Sequence, residues 1–432
     1  MKVAICGKNG FGGREHSLAY LFKRQNPDLQ LYLYPGNGGT EKLGEHRAVN
    51  SIDEMIKDML ELEIELVILG PEADLEEGLA DLLRKKGIAC FGPGKEGARL
   101  ETNKLFAKKV MEVGNVPTAQ YQYFSALELD ALLQDIQTRP TPYVIKANGL
   151  AAGKGVFVVN DASKKDLAIQ FVKELISGGY GGSAKTGVLI ENFLPGEEAS
   201  LFYLVNTHTS ELIPMRPSQD HKRLMDGDKG PNTGGMGAYS DAPLVTDILL
   251  DKIHQQIAEP TMHALQALGI DYVGVLYFGL MIDAENCAVV EINARFGDPE
   301  IEVLAPRIQS NFLELLNCLA NNQKCTQIEW TEEACVSVVL ASEGYPISSK
   351  KGIPIYGLNS IPEDILIFHA GTRKEKGQIL TNGGRVLNVV SLGKDISSAR
   401  KRVYDFLSEG TLRFENMQYR KDIASKADRW IS

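Results

Sequence analysis

The sequence predicts a multidomain protein of mixed α/β and α+β class: a doubly wound α/β unit at the N-terminus, a larger two-part core, and a small α+β unit at the C-terminus. Three observations predict it. Short apolar runs alternate with helical patterns over the first hundred residues. Strand runs and glycine-bracketed loops dominate the middle. The last hundred residues carry three strand runs and one helix. At 432 residues the chain exceeds one ordinary hydrophobic core, so about three or four domains or subdomains are expected.

The first unit reads as strands 3–6, 29–34, 66–69 and 88–91, separated by helices 15–25, 52–62 and 75–86. Apolar residues at helical spacing mark the helices, and the alternation implies a parallel sheet. In such sheets ligands lie beyond the carboxyl ends of the strands. Three of those ends carry glycine: Gly7-Lys-Asn-Gly-Phe-Gly-Gly13 before Arg14-Glu-His16, then Pro35-Gly-Asn-Gly-Gly39, then Gly70-Pro-Glu72. A glycine turn that opens a helix offers free N–H donors and a favourable dipole to a phosphate. A dinucleotide does not fit. No register of the first loop matches G-x-G-x-x-G, and Tyr34-Pro-Gly-Asn stands where the ribose-binding acid should end the second strand. A small phosphorylated metabolite suits these loops better.

The second region opens with a helix over 102–111, capped by Thr102 or Asn103. Strand 143–147 leads into the loop Asn148-Gly-Leu-Ala-Ala-Gly-Lys-Gly155, followed by strand 156–159, helix 164–175 and strand 188–191. The loop sets Gly149, Gly153 and Gly155 around Lys154, just after Lys146 at a strand end. A flexible glycine loop over a basic strand end suits a nucleoside triphosphate, although the spacing is not that of a Walker A loop.

The third region begins with strand 200–205. The segment Asp220-His-Lys-Arg-Leu-Met-Asp-Gly-Asp-Lys-Gly-Pro-Asn-Thr-Gly-Gly-Met-Gly-Ala-Tyr-Ser240 follows; it has too many glycines for a helix and too many charges for a buried strand. It reads as a loop whose backbone can approach a ligand closely, and its mixed charges suit a ligand that is both anionic and cationic. A helical pattern then runs over 247–268, and strands 274–282 and 288–293 meet at the turn Asp283-Ala-Glu-Asn286. Glu291 and Asn293 are two apart on a strand, so they share a face. Carboxylate and amide oxygens are hard ligands of the kind Mg²⁺ takes, completed by phosphate and water. Arg295 comes next on that face and can hold a carboxylate through two parallel hydrogen bonds. The last unit reads as strands 335–340, 366–369 and 385–390 and helix 396–407, with Asn382-Gly-Gly-Arg385 as a hairpin turn and His369 as a structural histidine.

Composition narrows the class. A hydrophobic fraction of 44%, a charged fraction of 24% and a net charge of −10 describe a globular chain without a general nucleic-acid or membrane surface. The six cysteines form no C-x-x-C pair, so neither a zinc site nor a disulfide framework is expected. No signal peptide and no apolar run of membrane-spanning length is visible, which predicts a cytoplasmic protein, and no further domain is expected after residue 432.

The order of these motifs resembles the ATP-grasp superfamily of carboxylate–amine ligases: phosphate loops, a lysine strand with a glycine loop, a Glu-x-Phe-Leu-x-Gly-x-Glu segment, and Glu-x-Asn-x-Arg. Within it, Gly-Pro-Asn-Thr-Gly-Gly-Met-Gly at 230–237 and Arg295-Phe-Gly-Asp-Pro-Glu300 are similar to the phosphoribosylamine–glycine ligase family. The resemblance spans nearly the whole chain. It implies a pre-ATP-grasp domain over 1–101, an ATP-grasp domain over 102–328 with a lid over about 119–191, and a C-terminal domain over 329–432. It also implies ligation of glycine to 5-phosphoribosylamine through glycyl phosphate, with ATP as co-substrate and Mg²⁺ or Mn²⁺. A monomer is expected, a weak dimer being the alternative. By resemblance, Lys104, Lys146, Gly153, Lys154 and Gly155 hold the ATP phosphates. Glu191, Phe193 and Leu194 read adenine, and Glu198 the ribose. Glu291 and Asn293 bind the metal. Arg295, Asp220, Lys222, Arg223 and Gly235 handle glycine and its acyl phosphate. Asn9, Gly10, Gly12, Gly13, Asn37, Pro71 and Glu72 meet phosphoribosylamine. Two departures stand out: Asn148 replaces the family's usual aspartate, and residues 273–282 hold no second metal carboxylate, leaving Asp283, Asp298 or phosphate and water to complete the shell.

Overall fold

The computed structural model describes residues 1–7, 10–151, 154–179, 185–284 and 286–430. The N-terminal sheet is fully parallel. Its strands lie side by side in the order Glu45–His46, Gln30–Tyr34, Lys2–Cys6, Leu66–Leu69, Ala89–Phe91. The chain winds outward from Lys2–Cys6 in one direction and then in the other, so the order reverses between Lys2–Cys6 and Leu66–Leu69. Gly7 and Gly70 leave the carboxyl ends of those two strands, and the Gly70 N–H donates to the Cys6 carbonyl (3.0 Å). The crevice expected of a doubly wound sheet therefore opens between the first and third glycine loops. The expected helix 75–86 is two helices, Glu72–Glu76 and Leu79–Lys85, because Gly78 takes a left-handed φ of 80° between them.

Two antiparallel sheets follow. One joins Tyr121–Phe124, Val188–Asn192, Tyr143–Ala147 and Val156–Val159. The other joins Glu211–Pro214, Glu197–Asn206, Val273–Asp283 and Asn286–Asn293. Helix Lys104–Val113 begins with Asn103 as its cap, whose side chain accepts from the Phe106 N–H; the preceding helix, Lys95–Thr102, was not visible as a separate element. The helical pattern 247–268 is one rod of three parts: Asp247–Ile253, a π-helical turn His254–Ala258, and Glu259–Ala267. Pro260 lacks an N–H and crowds the preceding turn, which accounts for the widened step.

The glycine-rich segment departs from the expected open loop. Gln219–Asp220 and Gly237–Ser240 are buried strands, and Arg223–Met225 pairs with Lys229–Asn232 as a hairpin between them. Gly237–Ser240 pairs with Ala334–Ala341, so this segment forms one edge of the C-terminal sheet, which continues through Arg385–Gly393 to Leu366–His369. The strand that pairs with it lies about a hundred residues away in sequence, which is why local charge and glycine content misread it. The expected hairpin at Asn382–Arg385 is also displaced. The paired hairpin is Thr372–Glu375 with Gln378–Thr381, turning at Lys376 and Gly377, and Asn382 to Gly384 return the chain to Arg385–Gly393. Helix Ile396–Ser408 covers this sheet.

One apolar core runs through all three units: Val3, Ile5, Leu18 and Phe22 pack in the same cluster as Phe202, Tyr277, Phe296 and Phe312 and as Cys335, Phe368 and Val390. His369 is structural, as expected. It is buried, its N–H donates to His16 Nδ1 (3.0 Å), and the two rings stack 5.6 Å apart. That contact joins the first helix to the C-terminal unit.

Candidate functional site

A cavity of about 1220 Å³ is lined by residues of the N-terminal unit, both middle sheets and the C-terminal unit. Each wall brings a different chemistry.

At one end, Lys146 on strand Tyr143–Ala147 places Nζ 2.8 Å from Glu191 Oε2 and donates to the Val290 carbonyl (2.8 Å). Glu191 is buried, and its other oxygen lies 3.2 Å from Lys108 Nζ. Lys104, the first residue of its helix, donates to the Gly149 carbonyl (3.4 Å). Burial lowers the Lys104 ammonium below the usual lysine range, against the pull of Glu291. Asn148 bridges this end: its Oδ1 accepts from Leu105 N–H (2.8 Å) and its Nδ2 donates to Thr186 Oγ1 (3.0 Å). An aspartate could make the first bond but could meet Thr186 only by accepting from its hydroxyl. Lys154, Gly155 and Leu194 line the same space, and the half-exposed Phe193 forms an apolar shelf.

In the centre, Glu291 and Asn293 both face the cavity from strand Asn286–Asn293. Glu291 sits opposite Gly279, where a Cβ would stand 3.0 Å from Glu291 Cγ, so the glycine leaves the carboxylate its room. Burial alone would raise Glu291, but Lys222, Lys146, Lys104 and Arg295 outweigh it and hold it at about 2. Lys222 Nζ lies 2.6 Å from Glu198 Oε2 and 3.6 Å from Glu291 Oε1, linking the two carboxylates. Asp283 sits at the exposed end of its hairpin, and Asp298 pairs with Arg385 (3.1 Å). Among the described residues no cluster of three metal-ligating side chains forms. The donor set that does exist, one carboxylate held ionised and one amide on the same face, fits a cation whose remaining ligands are phosphate and water.

Beside it, Asp220 is buried and lines the cavity. Burial raises its carboxyl above the usual range; Lys222 opposes this, while Glu300 and Glu198 add to it. Arg223 donates to the Gly230 carbonyl (2.8 Å) across its hairpin. Gly235 lies just behind the lining with φ of 112°, packed on Pro299. The strand carrying Glu291 ends at Asn293, and Arg295 turns toward Glu101 (2.9 Å) and Glu72 (3.3 Å). Burial would lower the Arg295 guanidinium, but Glu101, Glu72 and Glu300 outweigh it.

At the far end, Gly10, Gly12, Asn37, Pro71 and Glu72 line the cavity at the crevice of the parallel sheet. Burial would raise Glu72; Arg295 and Arg14 hold it at about 2. Gly12 N–H donates to Glu15 Oε2 (2.6 Å), and Asn37 Nδ2 donates to the His369 carbonyl (2.6 Å). Gly13 is not on the lining; its Cβ position is filled by Glu302 of the core and Asn388 of the C-terminal unit. Asn9 and Gly153 lie outside the described residues.

Among the charged cavity residues that sequence reasoning passed over are Lys108, Arg14, Glu101 and Arg385. Arg14 was visible as a basic residue directly after a glycine turn. Arg385 was read only as the end of a turn, since the Gly234 and Asp298 it reaches lie far along the chain.

A parallel unit with glycine loops, a lysine-bearing antiparallel sheet and a carboxylate–amide strand around one cavity together define an ATP-grasp ligase. Comparison with known proteins narrows this. Residues 1–101, 102–301 and 335–426 match the N domain, the ATP-grasp (A) domain and the C domain of phosphoribosylglycinamide synthetase. The chain is 40% identical over 429 residues to phosphoribosylamine–glycine ligase of Halalkalibacterium halodurans, covering 99% of this chain and 97% of the relative. It is 43% identical over 425 residues to that of Caulobacter vibrioides, covering 97% of each. The crystal structure of the Thermotoga maritima phosphoribosylamine–glycine ligase superposes with a TM-score of 0.84 at 33% identity, covering 98% of this chain and all of that one. Biotin carboxylase of Campylobacter jejuni shares the fold alone, with a TM-score of 0.72 at 14% identity over 99% of this chain and 95% of that one. The chain belongs to the phosphoribosylamine–glycine ligase family, and its activity is that ligase step of de novo purine biosynthesis.

Proposed function

We propose that the chain phosphorylates glycine with ATP and passes the glycyl group to 5-phosphoribosylamine, giving glycinamide ribonucleotide, ADP and phosphate. The observation that carries the reading is the order of groups along one cavity: lysines and lid, carboxylate–amide strand, mixed-charge segment, then glycine loops. A carboxylate is a poor acyl donor, so it is activated first; phosphoryl transfer then needs alignment and charge neutralisation more than covalent help.

Lys104, Lys146, Gly153, Lys154 and Gly155 take the ATP phosphates, which requires Lys146 to leave Glu191. Glu191, Phe193 and Leu194 bind adenine, and Glu198 the ribose. Glu291 and Asn293 hold Mg²⁺ or Mn²⁺, which when bound neutralises phosphate charge. Asp220 receives the glycine ammonium, with Lys222, Arg223 and Gly235 shaping that pocket. Arg295, braced by Glu101 and Glu72, holds the glycine carboxylate at the border with the second substrate. Phosphoribosylamine lies over Asn9, Gly10, Gly12, Asn37, Pro71 and Glu72, with Gly13 behind the lining. Its amine attacks the glycyl carbonyl, the C–O bond to phosphate breaks, and the nitrogen sheds its proton. Closure of the lid over residues 151–155 keeps water from the acyl phosphate.

We read units 1–101, 102–328 and 329–432 as the functional domains and the single chain as the working unit, because one chain supplies every wall of the cavity. A cytoplasmic setting agrees with six free thiols, and no helix of the described residues is long and apolar enough to cross a membrane. A coupled ADP-release assay with each substrate omitted in turn tests the function. ADP release is expected to require both glycine and phosphoribosylamine; turnover with another carboxylate and none with glycine would overturn the assignment.

A further inference from the structure

Lys108 has no part in the scheme above, yet it stands where the lid meets the body. The lid chain enters through Thr118 and Ala119 and leaves through Glu191 and Asn192. From helix Lys104–Val113, the Lys108 ammonium donates to Thr118 Oγ1 (2.9 Å) and the Ala119 carbonyl (3.0 Å), and lies 3.2 Å from Glu191 Oε1. All three of its donors are used, on both crossings of the hinge. The residue is 2% exposed, and an ammonium buried that deeply needs such partners. Thr118 in turn donates to the Val289 carbonyl (2.6 Å), on the strand that carries Glu291. The other oxygen of Glu191 is held by Lys146, which also donates to the Val290 carbonyl. Once phosphates draw Lys146 away, Lys108 is the partner that Glu191 keeps.

We infer that Lys108 is a positioning residue for base selection: it fixes the Glu191 carboxylate at the lid hinge, where that carboxylate accepts from the exocyclic amino group of adenine and rejects a purine with a carbonyl oxygen there. The inference rests on Glu191 facing adenine, as proposed above. Without the Lys108 charge, Glu191 depends on Lys146 alone, the lysine that the phosphates compete for. Base selection and ATP affinity then fall together, while glycine and phosphoribosylamine use is spared. Lys108 touches neither Glu291 nor the glycine loops, so a general loss of activity is not expected.

The test is steady-state kinetics with ATP and inosine triphosphate on the full-length enzyme and three variants. Lys108→Met is expected to raise KM for ATP by about tenfold and lower the ATP/ITP ratio of kcat/KM by about tenfold, the size of one lost charged hydrogen bond, with KM for glycine within about twofold. An unchanged KM for ATP and an unchanged ratio, at a temperature where the variant is folded, would overturn the inference and leave Lys108 a purely structural cation. Glu191→Gln separates the two claims. If it leaves the ATP/ITP ratio intact, the adenine reading of Glu191 fails. If it collapses the ratio while Lys108→Met does not, only the role of Lys108 fails. Should Lys108→Met not fold, Thr118→Val removes one of the three bonds. It is expected to lower the ratio in the same direction by about twofold to fivefold, and no change overturns the inference.

Discussion

Asp220, proposed above to receive the glycine ammonium, shows how burial would tie a carboxylate to such a ligand. It is 8% exposed, and burial raises its carboxyl above the usual range, with Glu300 and Glu198 adding to the shift and Lys222 opposing it. An incoming ammonium stabilises the ionised form, so glycine binding and loss of the Asp220 proton favour each other. KM for glycine is therefore expected to rise as pH falls through the raised Asp220 value, in a range where an ordinary carboxylate stays ionised. Asp220→Asn is expected to abolish that pH dependence and raise KM for glycine by about tenfold to a hundredfold, as for a lost charged hydrogen bond. KM for ATP should move by less than about twofold. Equal losses for glycine and ATP, or a pH profile unaltered in the variant, would instead make the segment from Asp220 onward a structural hinge.

At the scale of elements, helix Lys104–Val113 presents Lys104 and Lys108 to the lysine-lined end of the cavity, and its start is fixed twice. The Asn103 side chain caps the Phe106 N–H (2.9 Å), and Asn148 Oδ1 takes the next orphan donor, Leu105 N–H (2.8 Å). Asn103→Ala is expected to cost about 1 kcal/mol, read as a lowered urea midpoint at unchanged slope. Because Asn148 still holds the first turn, KM for ATP should rise less than stability falls; a large KM effect without destabilisation would show that Asn103 acts on the nucleotide directly. The sequence narrowed this cap to Thr102 or Asn103, and four of the five parallel strands, the Lys146 strand and the face shared by Glu291 and Asn293 were legible, since each rests on local spacing. The glycine-rich segment was not. Asp220 pairs beside Gly237–Ser240, which in turn pairs with Ala334–Ala341, and nothing in the intervening charges signals that pairing. Arg295 was found, but its partners Glu101 and Glu72 lie on elements distant in sequence, so its orientation had to come from the fold.

For the whole molecule, the site depends on how the parallel unit is seated against the core, and Arg295 is a charged part of that seat. It reaches Glu101 at the end of helix Lys95–Thr102 and Glu72 beside the crevice, while the Arg14 guanidinium donates to the Phe296 carbonyl (3.2 Å). Glu72 ionises at about 2 in the folded chain, because Arg295 and Arg14 outweigh its burial. An unfolded glutamate ionises near ~4.3. A depressed carboxyl contributes stability that is fully present above the unfolded value and is lost as pH falls toward the folded one. The loss should therefore fall between about pH 4.3 and 2. Glu72 keeps 32% side-chain exposure, so solvent screening reduces its share to about 1 kcal/mol. Urea midpoints followed from pH 6 to pH 2, at the same protein concentration, should fall less steeply for Glu72→Gln than for the parent, the two curves converging at the acid end. Parallel curves would show that Glu72 is not coupled to folding. In that case the seating of the parallel unit rests on the shared apolar core of Ile5, Phe22, Phe296 and Phe312, and its charges serve the substrates alone.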